Sequence, residues 1–438
     1  MRGYTPVQQD QLIIGIDIGS QYIKASALSM QDESFMVSAV VETQGVEKGN
    51  IVDVKSLGSS IKKAIGKLEV KVSKSIQAAF VCIQPEYVMF KDTTGHAELF
   101  GDAVSQREMD IALDSAQRLM VDDQHEIIDI LVSRYYVDDT IYANPMGIKG
   151  KTFDFTGQIV TAEKSLVDSL YDAMAQAKVG VLGTGLSSLA AASLLLTSGD
   201  LQKGTVLVDT GAHNTRAVLF KNQKIVATEN VKLGGKNITR DLAIVLKISL
   251  LEAEELKKSF AKGTLAKDHE QYDLIQEIIE ARIQEMMNFV EDFVDKQEAH
   301  GPLRKVVVYG GGLCGFREMN KLYKSTLKLS TNFVTSDIIR DDGVLTIQSS
   351  GLAYNLKNAL HLKGAIHELI RKGTESVPDA QASGEEDFFK KYELKFGEEK
   401  LYREREEEYE DEDEEFEEEG IFQRIRIWFQ RIMNKLRK

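Results

Sequence analysis

Two short stretches far apart in the chain are written to one plan, and that repetition limits the folds open to it. Residues 12–28 read LIIGIDIGSQYIKASAL and residues 204–220 read GTVLVDTGAHNTRAVLF. With Asp17 set on Asp209, Gly19 falls on Gly211, Lys24 on Arg216 and Ala25 on Ala217. Each stretch is an apolar strand, an Asp-x-Gly turn and a second strand. A strand that is apolar throughout belongs in a sheet covered on both faces. Chance can produce two such hairpins. Because each is followed by more strand and then helix, the expectation is an internal duplication: two like α/β halves that face each other.

The rest of the chain fits around that frame. A strand is expected at 35–41 and a helix at about 54–69, with Leu57, Ile61, Ala64, Ile65 and Leu68 on one side. After a strand near 76–83, residues 84–162 read as an independent module. Its helix opens at Ser105, where Ser105 and Glu108 have the capping-box spacing. Two strand-like runs follow, IIDILVSRYYV and the segment after Gly150, separated by the Asn144-Pro145 turn signal. A helix is expected from Ser165 to about Lys178, then a strand and helix in VGVLGTGLSSLAAASLLL. Residues 232–300 read as mainly helical, and VVVYGGG at 306–312 as a buried strand ending in a glycine turn. Periodicity stops near Lys372, and 373–419 read as a disordered tether.

The terminus inverts its own chemistry. Glu404–Glu419 holds thirteen acids against Arg405 alone, whereas residues 421–438 hold six Lys or Arg and no acid. Ile421, Phe422, Ile425, Trp428, Phe429, Ile432, Met433 and Leu436 fall on one stripe of a helix, flanked by Arg424, Arg431 and Lys435. A basic amphipathic helix on an acidic tether suits the anionic, cytoplasmic face of a membrane. The competing reading is docking in a protein groove or back onto the body. Much of the net charge of −14 lies in the acidic run, leaving a mildly acidic body and arguing against nucleic acid as a partner. Cys82 and Cys314 have no metal-type spacing, the N-terminus has no secretory pattern, and no run is long enough to span a bilayer. A cytoplasmic protein is expected.

Asp17, Gly19, Ser20 and Gln21 close the first hairpin, and Asp209 with Gly211 closes the second. A carboxylate at the end of a buried strand, followed by a glycine that lets the next amides point outward, suits phosphate binding. Two such loops facing each other can grip one nucleotide, with Asp17 and Asp209 holding Mg²⁺ through water. The bland reading is an aspartate that satisfies turn amides. Gly310, Gly311 and Gly312 allow close approach to a flat ligand, or form a plain strand-to-helix turn. Glu254 and Lys257 lie at i, i+3 on an expected helix, the ordinary spacing of a surface ion pair.

The two Asp-x-Gly hairpins, the glycine trio and a closing GLAY at 351–354 resemble the actin, Hsp70 and sugar-kinase superfamily. GVEKGNIVD at 45–53, VSQREMDIALDSAQRL at 104–119, NPMGIKG at 144–150 and AEELKK at 253–258 narrow the resemblance to the FtsA family of bacterial cell-division proteins. It covers residues 10–372 and resumes at 420–438. It implies an actin-like ATPase fold with a nucleotide cleft. The first lobe would take 10–83, 163–203 and 355–372, with 84–162 as the inserted subdomain. The second would take 204–231 and 301–354, with 232–300 as its helical subdomain, then the acidic linker 373–419 and the terminal helix 420–438.

The resemblance further implies ATP and Mg²⁺ as ligands. Gly19, Ser20, Gln21, Lys24 and Gly211 would sit at the phosphates, Asp17 and Asp209 at the metal, Glu254 and Lys257 at the ribose, and Gly311 and Gly312 beside adenine. It implies head-to-tail self-assembly, binding of the C-terminal peptide of the tubulin-like FtsZ, and recruitment of later divisome proteins. It also implies attachment to anionic lipid on the inner face of the cell membrane at the division site. Arg282 and Glu285 are the candidate peptide contacts, or else a surface ion pair. Three departures bear on turnover: Ala212 stands where the superfamily's second loop commonly has glycine, Arg216 where it has an acid, and Ser187 and Ser188 where rod-shape relatives open the helix with glutamate. With no evident general base, hydrolysis is expected to be slow or absent. The rival classes are a soluble kinase or ATPase of the same fold and a pilus-assembly relative that shares the insert.

Overall fold

The structure, a computed structural model, describes residues 12–353 apart from 30–35, 119–123, 317–328, 335–339 and positions 48, 102, 143, 314, 342 and 343. The amphipathic stripe, the acidic linker and the 355–372 segment therefore lie outside the described residues.

β1 (Leu12–Ile18) is apolar at nearly every position and buried along its middle. β2 (Tyr22–Ser29) and β3 (Met36–Glu42) follow it, each antiparallel to the strand before. The short pair β4 (Val46–Glu47) and β5 (Asn50–Ile51) leads into α1 (Val54–Val72). Asp53 caps α1 by accepting from the Lys55 and Ser56 amides, and Ser73 ends it in the left-handed conformation. Leu57, Ile61, Ala64, Ile65, Leu68 and Val72 form its buried stripe. Burying each large side chain of this kind contributes about 1.5–3 kcal/mol. β6 (Ala78–Ile83) returns parallel to β1.

The chain then leaves this sheet. β7 (Val88–Glu98), α2 (Gln106–Arg118), β8 (His125–Val137), β9 (Thr140–Tyr142) and β10 (Thr152–Glu163) make a four-stranded sheet of order β7-β10-β8-β9 with its own core. That core centres on Phe153, Phe155, Tyr135, Met109 and Ala112. Ser105 and Glu108 meet at the start of α2 as their spacing predicts, the Ser105 amide donating to Glu108 at 3.0 Å. The sequence gives no clear sign of β7, because Val88 and Phe90 are only half-buried and the polar run at 91–94 interrupts the apolar alternation before Gly95 and Ala97 turn inward.

α3 (Lys164–Gln176) brings the chain back to β11 (Gly180–Leu186), parallel to β6. α4 (Ser187–Leu195) and the short α5 (Ser198–Lys203) lead into the second half. There β12 (Thr205–Thr210), β13 (Thr215–Lys221) and β14 (Lys224–Val231) repeat the opening meander. α6 (Gly235–Leu246), α7 (Leu250–Ala261) and α8 (Tyr272–Lys296) follow, then β15 (Lys305–Tyr309) and β16 (Ser330–Phe333).

The two five-stranded sheets have the same topology. One runs β3-β2-β1-β6-β11, the other β14-β13-β12-β15-β16. In both, the first three strands are antiparallel and the last two join in parallel. The register repeats as well: Asp17 faces Lys24 across the first hairpin, and Asp209 faces Arg216 across the second. This is an actin-like α/β fold of two duplicated lobes with an inserted subdomain. The second sheet is buried on both faces. Val206, Val208, Ala217 and Leu219 point into the core with α6 and α8, while Leu207, Val218 and Phe220 join the core of the first lobe.

One assignment changes. Sequence places residues through 354 in the second lobe, yet helical residues 347–353 pack on the first. Ser26 hydroxyl meets Ser349 at 2.7 Å and Ser350 at 3.0 Å, and a Cβ at Gly15 would stand 3.1 Å from the Ala353 amide. Only a glycine in β1 and small hydroxyls on the helix permit that approach, so the chain returns to the lobe where it began.

Candidate functional site

Where the two sheets face each other, their hairpin turns are built alike. The Gly19 amide donates to the Tyr22 carbonyl at 3.0 Å, and the Gly211 amide to the Asn214 carbonyl at 2.8 Å. Thr43 holds the first turn by donating its hydroxyl to the Gly19 carbonyl at 2.7 Å. Ser20 and Gln21 lie half-buried at its tip.

Two glycine segments converge on the second turn. Gly235 donates to Gly211 O at 3.1 Å, and Gly312 to Thr210 O at 2.7 Å. A side chain at Gly234 would press on Ala212 O at 2.6 Å, and one at Gly312 on Gly211 O at 2.7 Å. Gly310 adopts φ +103°, a region that favours glycine, and a Cβ there would stand 2.8 Å from Asp209 Oδ1. At Gly311 there is open space, with nothing within 4 Å of where a Cβ would stand. The result is a smooth backbone shelf with room above it.

Glu254 and Lys257 close one side of the shelf. They are not a surface pair: their side chains are 13% and 12% exposed. Lys257 Nζ donates to Glu254 Oε2 at 2.8 Å, to Thr239 Oγ1 at 2.9 Å and to Gly235 O at 3.0 Å. Burial raises the Glu254 pKa, but Lys257 and Thr239 more than offset it and hold the carboxyl below its usual range. Gly211, Gly312, Glu254 and Lys257 are thus brought together as the sequence expects, around the first turn of α6. A cradle of this shape and chemistry fits a nucleotide.

The aspartates have a different environment from the one expected. Asp17 Oδ2 accepts from Lys24 Nζ at 2.8 Å and Oδ1 from Gln84 Nε2 at 2.9 Å. Asp209 Oδ2 accepts from Arg216 at 3.3 Å and from Gln348 Nε2 at 3.2 Å. Arg216 also grips Glu86, its Nε lying 2.7 Å from Oε1 and 2.6 Å from Oε2. Burial lifts the Asp209 pKa above the ordinary value, against the pull of Arg216 and Lys24. Burial opposes the charge on Arg216, but Glu86 and Asp209 hold it cationic. Among the described residues no group of three or more His, Cys, Asp or Glu converges as a metal cluster. Water-mediated Mg²⁺ needs carboxylate oxygens open to a hydration shell. Both Asp17 oxygens and Asp209 Oδ2 are taken by side-chain cations and amides, an arrangement that does not fit the metal role expected of these aspartates.

Two further expectations have structural outcomes. Ser187 opens α4 and donates to Gln84 Oε1 at 2.8 Å, while the Ser188 hydroxyl is buried without a partner beside Asp209 and Arg216. Neither is a carboxylate base. On α8, Arg282 pairs with Asp241 of α6 at 2.8 Å and with Glu285. Gln84, Glu86, Gln348 and the Gly234-Gly235 step were not singled out from sequence. Only the glycine pair opening a helix carried a local signal.

Two family models match the chain. The one described as Cell division protein FtsA matches residues 206–336, and the one described as SHS2 domain inserted in FTSA matches 86–161. The Cell division protein FtsA of Bacillus subtilis is 29% identical over 314 residues, covering 65% of this chain and 70% of that protein. Its counterpart in Streptococcus pneumoniae is 24% identical over 318 residues, covering 68% and 70%. Among solved structures, a PilM-PilN type IV pilus biogenesis complex shares the fold, with a TM-score of 0.55 at 16% identity over 78% of this chain and 97% of that one.

Proposed function

This chain belongs to the FtsA family and has an actin-like role in cell division, and from that premise we propose that it is a nucleotide-binding, self-assembling adaptor between the division ring and the membrane. The two facing hairpins of equal register carry the reading, because each half of the duplication contributes an Asp-x-Gly turn and the second adds the glycine shelf. ATP would lie across that shelf, its phosphates at Gly19, Ser20, Gln21, Lys24 and Gly211, its ribose at Glu254 and Lys257, and its adenine beside Gly311 and Gly312. When bound, the nucleotide supplies a polyphosphate that both lobes can hold, and so favours their closed arrangement.

Turnover is slow in this reading. A serine hydroxyl is no base near neutral pH, and Ser187 already donates to Gln84. The body assembles head to tail. The helical subdomain takes the C-terminal peptide of FtsZ, with Arg282 and Glu285 on α8 as candidate contacts. The inserted subdomain takes later divisome proteins. The 421–438 helix lies on anionic lipid at the inner membrane face. One such helix binds weakly, and a filament multiplies it by avidity.

The test is electron microscopy of the full chain with ATP on an anionic lipid monolayer, beside a chain ending at Glu419. Filaments should coat the monolayer only with the complete chain. Equal coating by both chains, or no filaments with either, sinks the proposal.

A further inference from the structure

The aspartates at the heart of the cleft are each answered by a cation written into the same hairpin. Lys24 comes seven residues after Asp17, and Arg216 seven residues after Asp209. The shared register sets each pair side by side on adjacent strands. Asp17 is 1% exposed and has both oxygens engaged, by Lys24 and by Gln84. Asp209 is 8% exposed; its Oδ2 is shared by Arg216 and Gln348, and its Oδ1 lies 2.8 Å from where a Cβ on Gly310 would stand.

In charge terms, Lys24 and Arg216 neutralise two of the three carboxylates present, the third being Glu86. A guanidinium stays charged in any protein setting and offers several donors that match phosphate oxygens. An acid in place of Arg216, as the superfamily's second loop commonly has, would change the local charge by two units. That is the charge of one divalent ion. Resting on the nucleotide reading above, we propose that Lys24 and Arg216 are resident counter-ions of the phosphate site, and that this chain holds adenine nucleotide without needing Mg²⁺.

Titration calorimetry of the full chain with ATP, in Mg²⁺ and in EDTA, tests this directly. The two dissociation constants should agree within about threefold. In Arg216→Asp, EDTA should weaken binding by about tenfold or more relative to Mg²⁺. Arg216→Gln, which removes the charge with less repulsion, should show a smaller loss of the same sign, with thermal melts confirming that both variants fold. A second readout needs no nucleotide: Mn²⁺ titrated into the wild-type chain should remain free by electron paramagnetic resonance, and Arg216→Asp should gain a bound signal. Wild-type binding that falls tenfold in EDTA, or a wild-type Mn²⁺ site, overturns the inference. ATP binding in neither medium removes the nucleotide reading itself, and the inference with it.

Discussion

The first and second hairpins share topology, register and turn geometry, yet they are wired differently. In the first, the cation and the amide that satisfy Asp17 both come from its own lobe: Lys24 across the hairpin and Gln84 just past β6. In the second, Arg216 lies 3.3 Å from its own aspartate and turns most of its donors to Glu86, at the junction with the inserted subdomain. The other donor to Asp209 is Gln348, on the helix that packs on the first lobe. The first hairpin is self-contained, and the second ties three parts of the molecule together. Duplication preserved which positions face each other. Divergence altered where the cation's remaining bonds go.

The largest effect should come from opening the self-contained pair. Lys24→Met strands a buried carboxylate and should cost about 3–5 kcal/mol in urea melts. Hydrogen exchange should rise in the first sheet and leave β14 near wild type. Breaking the bridging pair should cost less and reach further. Glu86→Gln keeps shape and one neutral acceptor, so about 2 kcal/mol is expected. Exchange should rise in both β7 and β14, since Arg216 no longer fastens the junction. If Lys24→Met loosened β14 as much as Glu86→Gln does, the two hairpins would not differ in reach.

The smallest effect is a sign. Burial raises the Asp209 pKa above its unfolded value, so ionising it opposes folding. As pH rises from the ordinary carboxylate range through the folded value, wild-type stability should fall relative to Asp209→Asn. Glu254 has the opposite sign: its folded pKa is lowered, so its contribution is complete above the unfolded value and lost as pH falls through the folded one. Urea midpoints between about pH 3 and pH 6 separate the two. Wild-type stability that rises relative to Asp209→Asn over this range contradicts the raised pKa.

Local pattern carried much of this into the sequence. Both hairpins, the match of Lys24 with Arg216 between them, and the helix opened by Ser105 follow from strand periodicity and turn chemistry, whereas the ion pairs on Asp17 and Asp209 do not. Partners set by tertiary packing did not. Glu86 sits in a turn with no pattern of its own, and its meaning comes from an arginine far along the chain. β7 escaped notice because the outward positions of its first half are Met, Lys and Asp. Glu254 and Lys257 looked like a surface pair, since i, i+3 spacing cannot tell that Gly235 O caps the ammonium.

The return of residues 347–353 to the first lobe has a mechanical consequence. A load on residues 347–353 would be felt by β1 and β2 through Ser349 and the close approach at Gly15, and by the second lobe through the Gln348 bond to Asp209. Tension there would strain the seam between Ser26 and Ser349 long before it disturbed α8. In mechanical terms residues 347–353 act as a rivet, fastened to the first sheet at Ser26 and to the second hairpin at Asp209.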